Sequence, residues 1–395
     1  MGRIIFHVDV NNAFLSWTAV DLLKKGFKID IRKIPSAIAG NQSKRHGIIL
    51  AKSPVAKNKG VQTATPIYIA RKKCSNLRIF APDYELYKKE SDKLYAYLCS
   101  YSKYVERYSI DECYLDMSNY KFNKEEFIKL AYKIKNEINS NFGFTVNVGI
   151  ANNKLCAKMA SDFLKPNRVH TLFKEEIKDK LWPLPVHKLY MIGEKTAKRL
   201  QILNIKTIAD LANSDFNFLQ KYFKNSALYM YEYANGEDNS QINYIKEKNK
   251  NISMSITLPI DIQDKDELKS ILLNLSKKVA VRLHNQNLYA KTISITLRNK
   301  YFKDTQRQTK LYNATNNYKE INKTGCFLLD SLYKEEYIRY VGIKLSDLVE
   351  NNEYQLSLFD ENNNDNGLDK VINKVNSNCK NKQVKIVPAS YISKK

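Results

Sequence analysis

Ser109-Ile110-Asp111-Glu112-Cys113-Tyr114-Leu115-Asp116 is the stretch on which the fold turns. An acid pair lies within an apolar, β-branched and aromatic run, Tyr104 to Leu115, a composition that predicts strand. A lone acid, Asp9, stands beside a second such run, Ile4 to Val10, in Phe6-His7-Val8-Asp9-Val10-Asn11-Asn12-Ala13-Phe14. If the two strands pair, Asp9, Asp111 and Glu112 converge. Carboxylates packed together repel and raise one another's pKa, so such a cluster calls for divalent cations among its oxygens, magnesium first. Taken alone, Asp9 has a plainer reading as a helix-capping aspartate between strand and helix. The acid pair elsewhere in the chain weighs against it.

A chain of 395 residues forms more than one domain. Lys plus Arg number 65 against 41 Asp plus Glu, a net charge of +24, which suits a polyanionic partner: nucleic acid first, an acidic membrane surface second. The six cysteines, Cys74, Cys99, Cys113, Cys156, Cys326 and Cys379, form no C-x-x-C pair, which argues against zinc and against a disulfide framework. The N-terminus enters an apolar strand directly, and no apolar run approaches the ~18 residues of a membrane span. A cytoplasmic protein with reduced thiols and no membrane partner is expected.

Outward from the acids, Leu77 to Ala81 reads as strand, Tyr84 to Tyr101 as helix, Tyr104 to Ser118 as hairpin, Lys124 to Asn139 as helix and Thr145 to Ala151 as strand. This interleaving predicts a ferredoxin-like sheet with helices on one face. Asn152 to Pro166 reads as a helix ended by its proline. Leu184 to Leu200 is similar to a helix-hairpin-helix, whose glycine turn brings backbone N–H groups to DNA phosphate; Met191 stands where one of the two usual glycines would be. His187 has no second His or Cys at metal spacing and reads as a surface or capping residue. Beyond a polar stretch read as linker, the pattern is β-α-β-β-α-β with one-sided strands, a single open sheet with its other face free. Arg298, Lys300, Lys303, Arg307 and Lys310 border that face as candidate phosphate contacts; the plainer reading is solubilising strand-edge lysines.

In this order the segments resemble the Y-family DNA polymerases of the DinB/UmuC translesion type, over roughly residues 1 to 360. The resemblance implies an α+β multidomain right-hand polymerase: a ferredoxin-like palm at 1–21 and 79–166, small fingers at 22–78, a helix-hairpin-helix thumb at 167–236, a linker at 237–251, a little finger at 252–350 and a tail at 351–395. It implies low-fidelity, template-directed addition of deoxynucleotides to a primer 3′ end, supported by two Mg²⁺ ions with Mn²⁺ as a substitute. Asp9, Asp111, Glu112 and the Val10 carbonyl would hold the ions, with Glu112 the catalytic acid. Phe14 would be the steric gate against ribose, the alternative being a core phenylalanine on an amphipathic helix. Lys57 takes the place of a usual arginine against the triphosphate, and Pro54 that of a usual tyrosine; a solvated basic helix face is the alternative. Lys165, in Lys165-Pro166-Asn167, would reach the β- and γ-phosphates, or else be an ordinary lysine at a helix C-terminus. The glycine that usually follows is Arg168 here, and Asp116 matches no ligand. Gly193 and Lys195 would contact the DNA backbone.

Tyr354-Gln355-Leu356-Ser357-Leu358-Phe359 resembles the peptide that binds the bacterial β sliding clamp, with Gln355, Leu356, Leu358 and Phe359 as its contacts. The expected partners are thus primer-template DNA, deoxynucleoside triphosphates and the clamp, and the expected state is a monomer. Two rivals remain on the sequence alone. A catalytically silent relative would bind DNA and clamp as a scaffold, and another palm-type nucleotidyl enzyme, such as a cyclase, would share the sheet and acids.

Overall fold

The computed structural model describes residues 2–40, 47–245 and 248–350. These divide into two units, one of residues 1–248 with 257–260, the other of the remaining chain from Asn249 onward. In the first unit the chain runs β1 (Ile5–Val10), α1 (Ala13–Lys24), β2 (Ser36–Ala39), β3 (Ile49–Lys52), α2 (Pro54–Asn58), α3 (Ile67–Lys73), β4 (Arg78–Phe80), α4 (Tyr84–Leu98), β5 (Val105–Arg107), β6 (Glu112–Asp116), α5 (Lys124–Phe142), β7 (Val146–Ala151), α6 (Lys154–Asp162) and β8 (Val169–Leu172). Four short helices follow: α7 (Glu194–Ile202), α8 (Ile208–Ala212), α9 (Phe216–Phe223) and α10 (Ser226–Ala234).

Every residue of β1 is buried, as a strand covered on both faces must be. It lies at the middle of a five-stranded sheet ordered β5-β6-β1-β7-β8, antiparallel to β6 and β7. Side chains alternate across the sheet. Phe6, Val8 and Val10, with Cys113, Leu115, Val148 and Ile150 beside them, pack on Leu94 and Leu98 of α4 and on Phe127, Ala131, Ile134 and Ile138 of α5. Burial of each such side chain is worth roughly 1.5–3 kcal/mol, and a slip of one residue would turn the whole set to the wrong face. Ile5, His7 and Asp9 point the other way, towards α6. Gly149, opposite His7, lets that helix approach: a Cβ there would sit 1.9 Å from the Ala157 carbonyl oxygen and 2.6 Å from the Ser161 nitrogen.

Several sequence expectations are corrected. Helices flank both faces of the sheet, α6 covering the side that α4 and α5 leave. The sheet also extends beyond residue 166, because β8 pairs in parallel with β7; its Val-His-Thr-Leu sequence lacks the apolar run that marks a central strand. β4 belongs to a separate three-stranded sheet, β3-β2-β4, where it pairs in parallel with β2. α6 ends at Asp162, short of Pro166. The stretch read as a linker is tied down over 238–243: Asp238 Oδ2 accepts the Leu155 N–H at 3.0 Å, Ser240 O accepts Arg3 Nη1 at 2.7 Å, Glu106 Oε2 accepts the Asn243 N–H at 2.7 Å, and Ile242 is buried.

The second unit runs β9 (Asn251–Ile262), α11 (Lys265–His284), β10 (Tyr289–Asn299), β11 (Asp304–Thr315), α12 (Tyr318–Leu332) and β12 (Ile338–Val349), the expected β-α-β-β-α-β order. Its sheet is ordered β11-β10-β12-β9. Ile293, Ile295 and Leu297 of β10 pair with Leu345, Ile343 and Val341 of β12 to form one apolar face, and all six are buried. Asp264 starts α11 by accepting the N–H groups of Asp266 and Glu267, both at 2.8 Å. No helix among the described residues is long and apolar enough to cross a membrane.

Candidate active site

Asp9 is only 6% exposed, at the end of β1 where the sheet meets α6. Glu112 is its direct cross-strand partner. Each carboxylate carries a lysine: Lys165 Nζ donates to Asp9 Oδ2 at 2.7 Å, and Lys158 Nζ donates to Glu112 Oε1 at 2.7 Å. Lys165 also reaches Asp162 Oδ1 at 2.7 Å. Burial pushes the Asp9 pKa up to about 7 against the pull of Lys165. Burial works against the charge on Lys165 as well, yet Asp9 and Asp162 hold its pKa above the ordinary lysine value.

Asp111 enters differently. It lies in the turn before β6, where its carbonyl accepts the Val10 N–H at 3.0 Å while its Oδ1 accepts the Ser109 hydroxyl at 2.6 Å. The structure therefore brings Asp9 and Glu112 to one face and sets Asp111 beside them through its backbone. Among the described residues, no three His, Cys, Asp or Glu side chains form a ready cage for a metal. The donors nevertheless fit a hard divalent cation, being oxygens alone. The buried Asp9 carboxylate demands positive charge, which the lysine ammonium groups now supply.

Two residues that the sequence reading passed over complete this cluster. Lys158, one helical turn beyond Lys154 on α6, carries no sequence signal that marks it as the partner of Glu112. His7 is fully buried. Its Nδ1 lies 2.8 Å from Ser161 Oγ, which gives its own proton to the Lys158 carbonyl at 2.8 Å; His7 is thus the donor through Nδ1. Its Nε2 has no hydrogen-bond partner and stands 3.9 Å from Glu112 Oε2. Burial and then the charges of Lys158, Lys165 and Lys154 hold its pKa well below the usual histidine value, so the ring is neutral.

The segment bearing Lys165 is fastened by asparagines. Asn147, beside Asp9 on β7, donates from Nδ2 to the Ser161 and Leu164 carbonyls at 2.9 and 2.7 Å. Its Oδ1 accepts Asn11 Nδ2 at 3.1 Å and the Arg168 N–H at 3.2 Å. Asn167 takes the left-handed conformation, φ 61°, with its N–H on Asn11 Oδ1 at 2.8 Å. Arg168 thus stands where a glycine is usual without a positive φ. No periodicity marks these asparagines; only their place at strand ends does.

Phe14, in the first turn of α1, is half-buried and stacks on Tyr87 with ring centroids 4.5 Å apart and an 8° interplanar angle. Tyr84 meets it edge-on at 6.1 Å. Lys57, in the last turn of α2, is exposed, and Lys52 lies near enough that, after burial, the Lys57 charge lowers its pKa. Pro54 is explained locally: it opens α2 behind Ser53, whose hydroxyl caps the Ala56 N–H at 3.0 Å. Gly193 starts α7 with no side-chain cap, and Lys195 in that first turn is exposed. Met191 takes the left-handed conformation of the missing glycine, φ 68°. Tyr190, next to it, meets Tyr108 of the β5–β6 turn hydroxyl to hydroxyl. Asp116 is structural, accepting the Ser118 N–H at 2.9 Å and facing Arg3 at 3.8 Å.

In the second unit the register sorts the basic candidates. Arg298 is engaged by Asp304, Nε to Oδ1 at 2.6 Å and Nη2 to Oδ2 at 2.9 Å, and lies over Tyr340. Arg307 pairs with Ile295, which puts it on the helix side of the edge strand rather than on the open face. Lys310 pairs with Thr292 on the polar face, and exposed Lys344, opposite Ser294, shares it. Lys344 was missed although its apolar neighbours at 343 and 345 assign it outward. Lys300 and Lys303 sit at the β10–β11 turn, both exposed. Gln355, Leu356, Leu358 and Phe359 lie outside the described residues.

Residues 8–162 match the model of the impB/mucB/samB family, and residues 249–358 match that family's C-terminal domain. The chain is 44% identical over 361 residues to a DNA polymerase IV of Clostridium acetobutylicum, covering 91% of each. It is 35% identical over 347 residues to a DNA polymerase IV of Oceanobacillus iheyensis, covering 88% of this chain and 81% of that one. Among solved structures, a Y-family DNA polymerase chimera based on Dbh superposes with a TM-score of 0.78 at 24% identity, over 88% of this chain and 100% of that chain. A Dbh ternary complex gives a TM-score of 0.60 at 26% identity, over 87% and 98%.

Proposed function

Because the chain belongs to the impB/mucB/samB family, the Y-family of translesion DNA polymerases, we propose that Asp9, Asp111, Glu112 and the Val10 carbonyl hold the divalent cations that support its chemistry. The protein is a DNA-directed DNA polymerase of low fidelity that extends a primer under template direction in translesion synthesis. Two Mg²⁺ ions are the proposed cofactors, with Mn²⁺ as a substitute. The observation that carries the proposal is the cross-strand pair of Asp9 and Glu112, each with a lysine ammonium where a cation would sit.

Bound cations would lower the pKa of the primer 3′-hydroxyl and neutralise the charge that builds on the departing pyrophosphate. The side chains do the rest. Lys165 exchanges Asp9 for phosphate oxygens of the incoming nucleotide, and Lys57 neutralises the triphosphate as a point charge. Phe14, backed by Tyr87, lies under the sugar and excludes a 2′-hydroxyl by contact. Glu112, freed from Lys158, is the catalytic acid of this reading. The α7 N-terminus at Gly193 and Lys195 holds backbone phosphate, and Lys300, Lys303 and Lys310 bind DNA phosphates without reading sequence. The peptide of Gln355, Leu356, Leu358 and Phe359 tethers the enzyme to the β clamp, which offsets a weak grip by raising the effective concentration of primer ends. The proposed enzyme is a cytoplasmic monomer.

Primer extension with Mg²⁺ tests this reading. The intact chain should add nucleotides, and Asp9→Ala, Asp111→Ala and Glu112→Ala should each lose the activity; undiminished extension by these variants would refute the assignment.

A further inference from the structure

Asn299-Lys300-Tyr301-Phe302-Lys303 forms the turn between β10 and β11. An aromatic side chain carries on the order of 150–250 Å² of surface that normally finds cover. Here Tyr301 is 77% exposed and Phe302 65%. The turn is not slack. Buried Asn299 pins it, its Oδ1 accepting the N–H groups of Tyr301 at 3.0 Å and Lys303 at 3.1 Å while its Nδ2 donates to Glu336 Oε2 at 2.7 Å. Phe302 is held at φ 63°, a left-handed conformation unfavourable for any residue with a Cβ. The left-handed residue belongs to the turn itself, where the Phe302 N–H bonds the Asn299 carbonyl at 3.0 Å, and the turn leaves both aromatic side chains largely exposed.

The cations around the rings say which visitor. Lys300 Nζ stands 5.2 Å from the Tyr301 centroid and 4.9 Å from that of Tyr337, and the Arg339 guanidinium is 4.7 Å from that of Phe302. Exposed Lys303 follows directly. Alternating ring planes and cations match alternating bases and phosphates, and ring stacking accepts every base. An acidic peptide would satisfy the lysines but leave both ring planes unused.

We propose that this turn is a stacking platform for unpaired DNA nucleotides, with bases against Tyr301 and Phe302 and phosphates against Lys300 and Lys303. The proposal rests on the polymerase reading and adds a substrate class, single-stranded DNA, to the DNA phosphates assigned to the sheet.

The test uses the full chain and its Tyr301→Ala/Phe302→Ala double variant, both side chains being exposed. Anisotropy would follow binding to labelled oligothymidylate, to a primer-template with a long single-stranded overhang and to a blunt duplex. The double variant should bind the first two about tenfold more weakly and the blunt duplex unchanged, while Tyr301→Trp/Phe302→Trp retains full affinity. Unaltered affinity of the double variant for oligothymidylate overturns the proposal, and so does an equal loss on the blunt duplex. Primer extension by the unmodified chain reports separately on the polymerase reading: failure there sinks that reading, whereas normal extension with no single-strand defect in the variant sinks only the platform.

Discussion

Asp9 lies directly opposite Glu112 in the antiparallel pairing of β1 with β6, and the two acids take their lysines from one short stretch, Lys165 for Asp9 and Lys158 for Glu112. Both carboxylates are thus neutralised by groups that can leave.

The buried Asp9 makes stability depend on pH. Its folded pKa, about 7, lies above the ordinary aspartate value of 3.8, so the native state binds more protons than the unfolded state between those two values. Stability therefore falls as pH rises through that window, by an amount on the order of a few kcal/mol. Asp9→Asn should remove the dependence: thermal unfolding at pH 5 and pH 8 should show the variant gaining on the native chain at the higher pH while extension is lost. A constant difference between the two melting temperatures contradicts the assignment.

Lys158 occupies Glu112 Oε1, so a cation held by Glu112 as proposed has to displace it. Breaking this largely buried, hydrogen-bonded pair costs on the order of 1 kcal/mol. Lys158→Met should therefore lower the Mg²⁺ concentration needed for half-maximal extension about fivefold. A requirement that stays put or rises shows that the lysine does not contend for the same oxygens.

Phe14 stacks face to face on Tyr87, which backs its ring, and the proposed gate role rests on that support. In Phe14→Ala the ratio of ribonucleotide to deoxyribonucleotide kcat/KM should rise at least about tenfold, since only the analogue with the extra hydroxyl loses a clash. Steady-state incorporation opposite one template base measures it, and an unchanged ratio removes the gate role.

Replacement of both Leu358 and Phe359 by Ala should abolish stimulation by the β clamp but leave extension without clamp intact. Equal stimulation of the double variant counts against the tail assignment.

Apolar, β-branched and aromatic runs made β1, β6 and β7 legible, and alternation made the β-α-β-β-α-β unit legible, because burial on one face imposes period two and burial on a helix imposes period 3.6. Asp9 and Glu112 were legible for the same reason: each interrupts an apolar run. What stayed hidden depends on side chains that meet only after folding. β8 carries a polar His-Thr centre that its edge position tolerates, and β4 is too short to declare its partner. His7 and Asn147 read as ordinary strand residues, because the Ser161 partner of the one and the four hydrogen bonds of the other form only on folding. Arg298 and Arg307 show the converse limit, since a basic residue on a strand does not reveal whether Asp304 claims it or which side of the sheet it takes.

Gly149 has no polar side chain and makes no contact with either acid, yet the Ala157 carbonyl would lie 1.9 Å from any Cβ placed there. The missing methyl sets the height at which α6 rides above the strands, and with it the reach of Lys158 and of the segment that ends in Lys165. Gly149 works as a spacer of zero thickness. A saturation scan should find it as intolerant as the acids themselves, for reasons of clearance rather than of charge.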